Sequence, residues 1–246
     1  MKTTMPPPLW LAAEYHLPST YSCRLPMSSA NSAPISPAPG PATVRLALLR
    51  TGIEMFGIEE TRRLLFPSIC TMPLQIRPPE RVAISPHTMW AYKMEAESWG
   101  TRITEAPIVR EMAQAEGPLT IYLVVPEPER TIWKEVLGAV GYWGQTSSLA
   151  WCIAIGEQAP SPQECILPLR HWRHPGPLHS FFSCILSEFQ DPALTWEDFL
   201  PVTEVPARNT LRLEVYLWPM VLKEQLGSGK VLVRTPFPAD DEAGST

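Results

Sequence analysis

Charge is scarce in this chain. Only 18% of its 246 residues are Asp, Glu, Lys or Arg, where about a quarter is usual for a soluble domain. With a formal net charge of −5, coating of nucleic acid by bulk positive charge is excluded. No apolar run reaches the roughly 18 residues of a membrane-spanning helix, so no membrane partner is expected. The N-terminus has no apolar core of a signal peptide, and a cytoplasmic location is expected. The five cysteines, at 23, 70, 152, 165 and 184, have neither zinc-site nor redox-motif spacing, and their number is odd. They read as reduced thiols. No GxxxxGK[ST], GxGxxG, GxSxG or HExxH occurs, so no nucleotide cofactor and no standard hydrolase is indicated. The histidines are 16, 87, 171, 174 and 179. His171-Trp172-Arg173-His174 lacks the further ligands that a metal needs, and His174-Pro175-Gly176-Pro177 reads as a rigid turn. No cofactor and no metal are expected.

Proline is the outlier on the other side. The chain has 29, roughly twice the average usage of about 5%, so long fixed loops and little continuous helix follow. Nine tryptophans in so uncharged a chain point to large buried surfaces, some of them shared with partners. The charge is also uneven. Residues 1–110 carry a net +3 and residues 111–246 a net −8. Such a split suits a protein that holds a polyanion on one face only; ordinary fluctuation is the competing explanation.

Leu9 to Leu17 reads as a first strand. Residues 18–41 form a long loop rich in proline and serine, containing Ser19-Thr20-Tyr21-Ser22-Cys23-Arg24. A loop that long inside a compact domain is functional or disordered. A helix then runs from an N-cap at Thr43 to Gly57. Residues 70–84 read as a strand or a hairpin interrupted by Pro78-Pro79. Residues 86–115 have no steady period and read as an insertion that projects from the core, carrying His87, Trp90, Lys93 and Arg102. Leu119 to Val125 is the strongest strand. A helix over 127–140 and a strand over 149–155 follow. An appended β region spans about 157–235, with strands at 208–217 and 230–234, and 236–246 reads as a flexible tail. The order strand, helix, strand, strand, helix, strand predicts an α+β, ferredoxin-like (RRM-like) antiparallel sheet with two helices, in a single domain over 1–246.

The segment with the strongest binding character is Gly141-Tyr142-Trp143-Gly144-Gln145-Thr146-Ser147-Ser148. Two glycines allow close approach, two aromatics can stack, and an amide and three hydroxyls can donate hydrogen bonds. A helix-to-strand turn with its aromatics in the core is an equal alternative. Arg24, Arg45 and Arg50, with Arg77, Arg81 and Lys93, are candidate phosphate ligands. Tyr21, Trp90, Tyr142 and Trp143 can stack bases if exposed, for about 1–3 kcal/mol each.

On these segments the chain resembles the CRISPR-associated repeat-associated mysterious protein (RAMP) superfamily. More narrowly, it is similar to the small subunit that caps the guide-RNA 5′ handle in type I (Cascade) effector complexes. The residues that carry the resemblance are the first strand with Pro18–Arg24, then Pro39-Gly40-Pro41-Ala42-Thr43-Val44-Arg45, then Gly141–Ser148. The projecting stretch 86–115 sits where the family inserts its thumb. The superfamily's glycine-rich loop near the C-terminus has only Gly227-Ser228-Gly229-Lys230 as an echo. The resemblance implies a non-catalytic subunit for antiviral defence that binds guide RNA (crRNA). Ser19, Tyr21, Arg24, Arg45, Arg50, Trp143, Gln145, Ser147 and Ser148 would hold the handle. His87, Trp90, Lys93 and Arg102 would lie on the thumb. The partners implied are backbone and large subunits of the complex, with target DNA contacted only indirectly. Two other readings compete: a metal-independent endoribonuclease using His87 or His16 with Lys93 (and Tyr92), and a structural assembly protein without nucleic acid.

Overall fold

The computed structural model describes residues 9–28, 32–97, 100–174, 178–189, 194–199 and 211–239. The chain opens with strand β1, Leu9–His16. The long loop that follows holds three two-residue strands, among them Cys23–Arg24 paired with Ile35–Ser36. Helix α1 spans Pro41–Phe56, with Gly40 rather than Thr43 at its N-cap and proline in its first turn. Gly57, at φ 81°, ends it. Two short helices follow, α2 (Ile58–Leu64) and α3 (Phe66–Thr71). Then come β2 (Leu74–Arg77), the long arms β3 (Arg81–Glu97) and β4 (Gly100–Glu116), and β5 (Leu119–Val125). Helix α4 (Arg130–Ala139) leads to β6 (Trp151–Glu157). The remainder contributes β7 (Ser183–Phe189), β8 (Leu211–Leu217), β9 (Met220–Leu226) and β10 (Gly229–Arg234).

The first sheet has the order β2-β5-β1-β6, and every pairing is antiparallel. Taken with α1 and α4, that is the split βαββαβ arrangement of a ferredoxin-like fold. Strand alternation sends Leu11, Ala13 and Tyr15 of β1, and Leu119, Ile121 and Leu123 of β5, to one face. All six are fully buried there and share a core with Val44 and Leu48 of α1 and with Trp133, Val136 and Leu137 of α4. The last three residues follow the i, i+3, i+4 spacing of one helix face.

The stretch read as an irregular projection is a regular hairpin. β3 and β4 pair without a break from Arg81↔Glu116 to Glu97↔Gly100. Its base belongs to the core, since Val82, Ile84 and Ala113 are buried. Further out both faces meet solvent, so no alternation marks the strands. Met89, Trp90, Tyr92 and Ile103 are exposed.

The appended β region is tied to the base of the hairpin. β10 pairs with β3 at Lys230↔Ile84 and Val233↔Arg81, and β9 extends that sheet. β7, β8 and Leu167–Pro168 form a separate three-stranded sheet. The segment read as a tail is anchored at its start. Phe237 is buried, and its backbone N–H donates to Gln163 O at 2.8 Å; residues 240–246 lie outside the described ones. The short helices α2 and α3 and strands β7 and β9 were not legible as elements in the sequence. The expected residues 208–210 also lie outside the described residues.

Candidate functional site

The loop after β1 and the loop after α4 meet at one end of the first sheet. Ser22 N–H donates to Ser148 Oγ at 3.1 Å, and Ser148 Oγ lies 3.5 Å from Ser22 O. Ser148 is fully buried. The first loop is laced to the hairpin base as well. Tyr21 and Ala113 exchange both backbone hydrogen bonds at 2.8 Å, and Ile35 N–H donates to Glu111 Oε2 at 3.0 Å.

Several residues read as RNA ligands are structural. The Tyr21 ring is 1% exposed, and its hydroxyl donates to Pro37 O at 2.5 Å. Trp143 is likewise 1% exposed, edge-on to Tyr15 with centroids 4.9 Å apart. Neither ring can stack on a base, because burying so large an apolar ring is worth more to the core. Tyr15 completes this corner by donating its hydroxyl to Leu137 O at 2.7 Å. Arg45 is 8% exposed. Its Nη1 and Nη2 donate to Ile69 O (2.5 Å) and Met72 O (3.0 Å), and its Nε to Glu188 Oε1 (3.3 Å). It ties α1 to the end of α3 and to β7 and is spent as a phosphate ligand. Ser148 is spent in the same way on Ser22.

The others stand at the surface. Ser19, Arg24 and Ser147 are exposed, Gln145 is half-buried, and Ser19 Oγ donates to Thr20 O at 3.4 Å. Arg50 is the best-placed cation. Its guanidinium carbon lies 3.4 Å from the centre of the Tyr142 ring, and Nη2 donates to Tyr142 O at 3.2 Å. Glu54 Oε1 is 3.4 Å from Nε, near enough for an ion pair, but Nε is buried without a hydrogen-bond partner. This stacked pair forms one wall of a depression of about 270 Å³, lined also by Thr43, Leu46, Ala47 and Gly144. Gly144 has φ 75°, and a Cβ there would come within 3.3 Å of the Thr43 methyl. The glycine both turns the loop and keeps the depression open. Leu46 lines it while 40% exposed. Leu46, Thr43 and Ala47 were not among the site residues named from the sequence.

On the hairpin, Trp90 is 68% exposed opposite Pro107, and Arg102 is exposed opposite Glu95. His87 is exposed, with Nε2 2.9 Å from Ser85 Oγ. Lys93 lies opposite Thr104 in register; its side chain is outside the described residues. The candidate ribonuclease group on this hairpin is not assembled. Six residues of unbroken strand put the Cα atoms of His87 and Lys93 roughly 20 Å apart, and Tyr92 faces the opposite side from His87. His16 is exposed beside Trp151, with centroids 5.4 Å apart. Among the described residues no group of three or more His, Cys, Asp or Glu could hold a metal, and no helix is long and apolar enough to cross a membrane.

Burial raises the thiols. Those of Cys23 and Cys165 are pushed up to about 12, and those of Cys70 and Cys184 to about 11, because the charged form would be desolvated. None is poised as a nucleophile near neutral pH.

The first sheet and its two helices keep a ferredoxin-like order, with a long hairpin between its second and third strands. No family model matches the chain. Over 158 residues, 64% of this chain and 68% of the other, it is 23% identical to the CRISPR-associated protein Cas5 of Archaeoglobus fulgidus. Among solved structures, a crystal structure of a CRISPR protein from Archaeoglobus fulgidus aligns with a TM-score of 0.44 and 11% identity over 92% of each chain. A CRISPR RNA-guided surveillance complex aligns at 0.42 and 13%, over 94% of this chain and 91% of the other. A type III-B Cmr-beta complex bound to cognate target RNA aligns at 0.46 and 9%, over 60% of each chain.

Proposed function

We propose that the chain is a non-catalytic RNA-binding subunit of a type I CRISPR effector complex and holds the 5′ handle of the guide RNA. The observation that carries this reading is the depression between α1 and the loop after α4. A handle nucleotide enters it with its base on Leu46 and Ala47. The Arg50–Tyr142 stack forms a planar, cationic wall, and Thr43 supplies a hydroxyl. Base stacking on such a wall is worth about 1–3 kcal/mol. The surface residues Ser19, Arg24, Gln145 and Ser147 take the neighbouring backbone, where hydroxyl, amide and guanidinium groups recognise phosphate oxygens. Because the loops are locked by the Ser22–Ser148 contact and by the Tyr21–Ala113 pairing, the surface is formed before RNA arrives, which lowers the ordering cost of binding.

The exposed stripe of Trp90, Tyr92 and Ile103 on one face of the hairpin docks a backbone subunit, with His87 and Arg102 on the other face. The acidic second half faces the large subunit, so that target DNA is contacted only through the assembly. The similarity to a protein named Cas5 supports the assignment to a CRISPR complex. The test is purification of the full chain with its partners from the native host, followed by sequencing of the bound RNA. Short RNAs with one constant 5′ segment and variable interiors are expected. Absence of RNA, or RNA without a constant 5′ segment, overturns the reading.

A further inference from the structure

The sequence has no acidic residue between Glu164 and Glu188, yet this stretch holds Arg170, Arg173 and three of the five histidines. In a chain of net charge −5 such a local excess is not diluted by neighbours in sequence, and the fold concentrates it further. A short 3-10 turn at Leu169–His171 follows the Leu167–Pro168 strand, which pairs with β8 at Leu217 and Tyr216. That register sets Arg170 against Glu214 of β8, its ion-pair partner. Arg212, two residues along the same strand and on the same face, reaches the other oxygen of Glu214 at 3.4 Å. Glu214 is 11% exposed, whereas Arg170 and Arg212 are 49% and 43% exposed. One sunken carboxylate thus holds two guanidinium groups at the surface.

Arg173 adds a third. It is exposed, and its Nη1 donates to the carbonyls of Arg170 (2.9 Å) and Trp172 (3.3 Å). Among the described residues it has no carboxylate partner. Between Arg170 and Arg173 the chain is pinned by Trp172, packed against Phe181 (5.8 Å) and Phe237 (5.5 Å). The turn is therefore held by an aromatic anchor and by a strand pairing, not left to float.

We propose that Arg170, Arg173 and Arg212 form a binding patch for a phosphodiester backbone, separate from the depression beside α1. Arg170 and Arg212 share one carboxylate and Arg173 bonds only to backbone carbonyls, and each retains donors beyond those used inside the protein. Arginine forks match phosphate oxygens and bind them without reading sequence. In a chain of net charge −5, this patch gives a strand a defined place to touch. The expected ligand is the backbone of an RNA strand or of a DNA duplex, and the experiment separates these sources.

The test uses the full chain and two labelled probes of mixed sequence, a single-stranded RNA and a DNA duplex, with affinity followed from low to high salt. Arg173→Gln with Arg212→Gln is expected to flatten the slope of log affinity against log salt for the probe that uses the patch. The loss is about 0.7 per contact for a single strand and about 0.9 for a duplex. Arg173→Lys with native Arg212 keeps the charge and is expected to retain most of the slope, with unchanged thermal unfolding as the control for folding. Arg50→Ala, outside the patch, is expected to weaken handle RNA, and the flattening by Arg173→Gln with Arg212→Gln is expected to persist in its background. Failure of the α1 reading is therefore distinguishable from failure of this one. An unchanged slope in the Arg173→Gln, Arg212→Gln variant for both probes overturns the proposal. So does displacement of the probes by poly-glutamate at equal charge concentration, which would assign the patch to an acidic protein segment.

Discussion

Replacing Arg45 by Ala separates a structural arginine from a phosphate ligand. Its guanidinium satisfies two carbonyls at the end of α3 and lies 3.3 Å from Glu188 Oε1, with only 10% and 16% of the two side chains exposed. Removing one partner of a buried ion pair costs about 3–5 kcal/mol, because the other charge is left unpaired. Two features set the expectation at the lower end. Glu188 keeps its contacts from Phe189 N–H at 2.8 Å and from the Tyr216 hydroxyl at 3.4 Å. Water can also reach the freed carbonyls through the space that the side chain leaves. About 3 kcal/mol is expected, and with a urea slope of about 2 kcal/mol per molar the midpoint falls by about 1.5 M. Circular dichroism during urea unfolding reads this directly. Arg45→Ala with Glu188→Gln removes the orphaned charge and is expected to recover part of the loss. The reasoning is refuted if Arg45→Ala unfolds at the native urea concentration while RNA binding drops, for Arg45 would then be a phosphate ligand after all.

Three further outcomes follow from the same geometry. Trp143→Ala should destabilise the chain by about 3–5 kcal/mol in urea unfolding, as a core tryptophan does; Trp143→Phe should cost less, since it keeps an aromatic ring in the core while removing an indole N–H that is buried without a partner. Gly144→Ala should cost about 1 kcal/mol through its positive φ and weaken handle RNA by narrowing the depression, read by titration of labelled RNA. Thiols raised to between about 11 and 12 are protonated in the folded chain at a pH where the unfolded thiols ionise. The unfolded state then binds fewer protons, so urea midpoints should be level below about pH 9 and fall as pH rises from there toward 12.

The ferredoxin-like order was legible because β1, β5 and α4 bury one face or both, and burial is what writes a period into a sequence. The hairpin was legible in place but not in form. In its outer arms Met89, Trp90, Tyr92 and Ile103 are exposed, so no buried face writes an alternation there. The short helices α2 and α3 fall below the length at which helical spacing declares itself, and Pro67 interrupts the pattern. The site was half legible. The two loops meet and Arg50 lines the depression, yet Tyr21 and Trp143 face the core, because an aromatic beside a turn has the same sequence signature buried or exposed. Arg45 did carry a signal. Ala42, Leu48 and Leu49 flank it at helical spacing, which places it on the apolar face of α1. Leu46 and Arg50 share the other face, four residues apart.

The most direct test of the central claim is ultraviolet cross-linking of the purified RNA-bound assembly, with mass spectrometry of the attached peptides. The account requires handle nucleotides on peptides that contain Leu46–Arg50 or Tyr142. Handle nucleotides attached elsewhere on this chain, with both of those peptides unmodified, would contradict it.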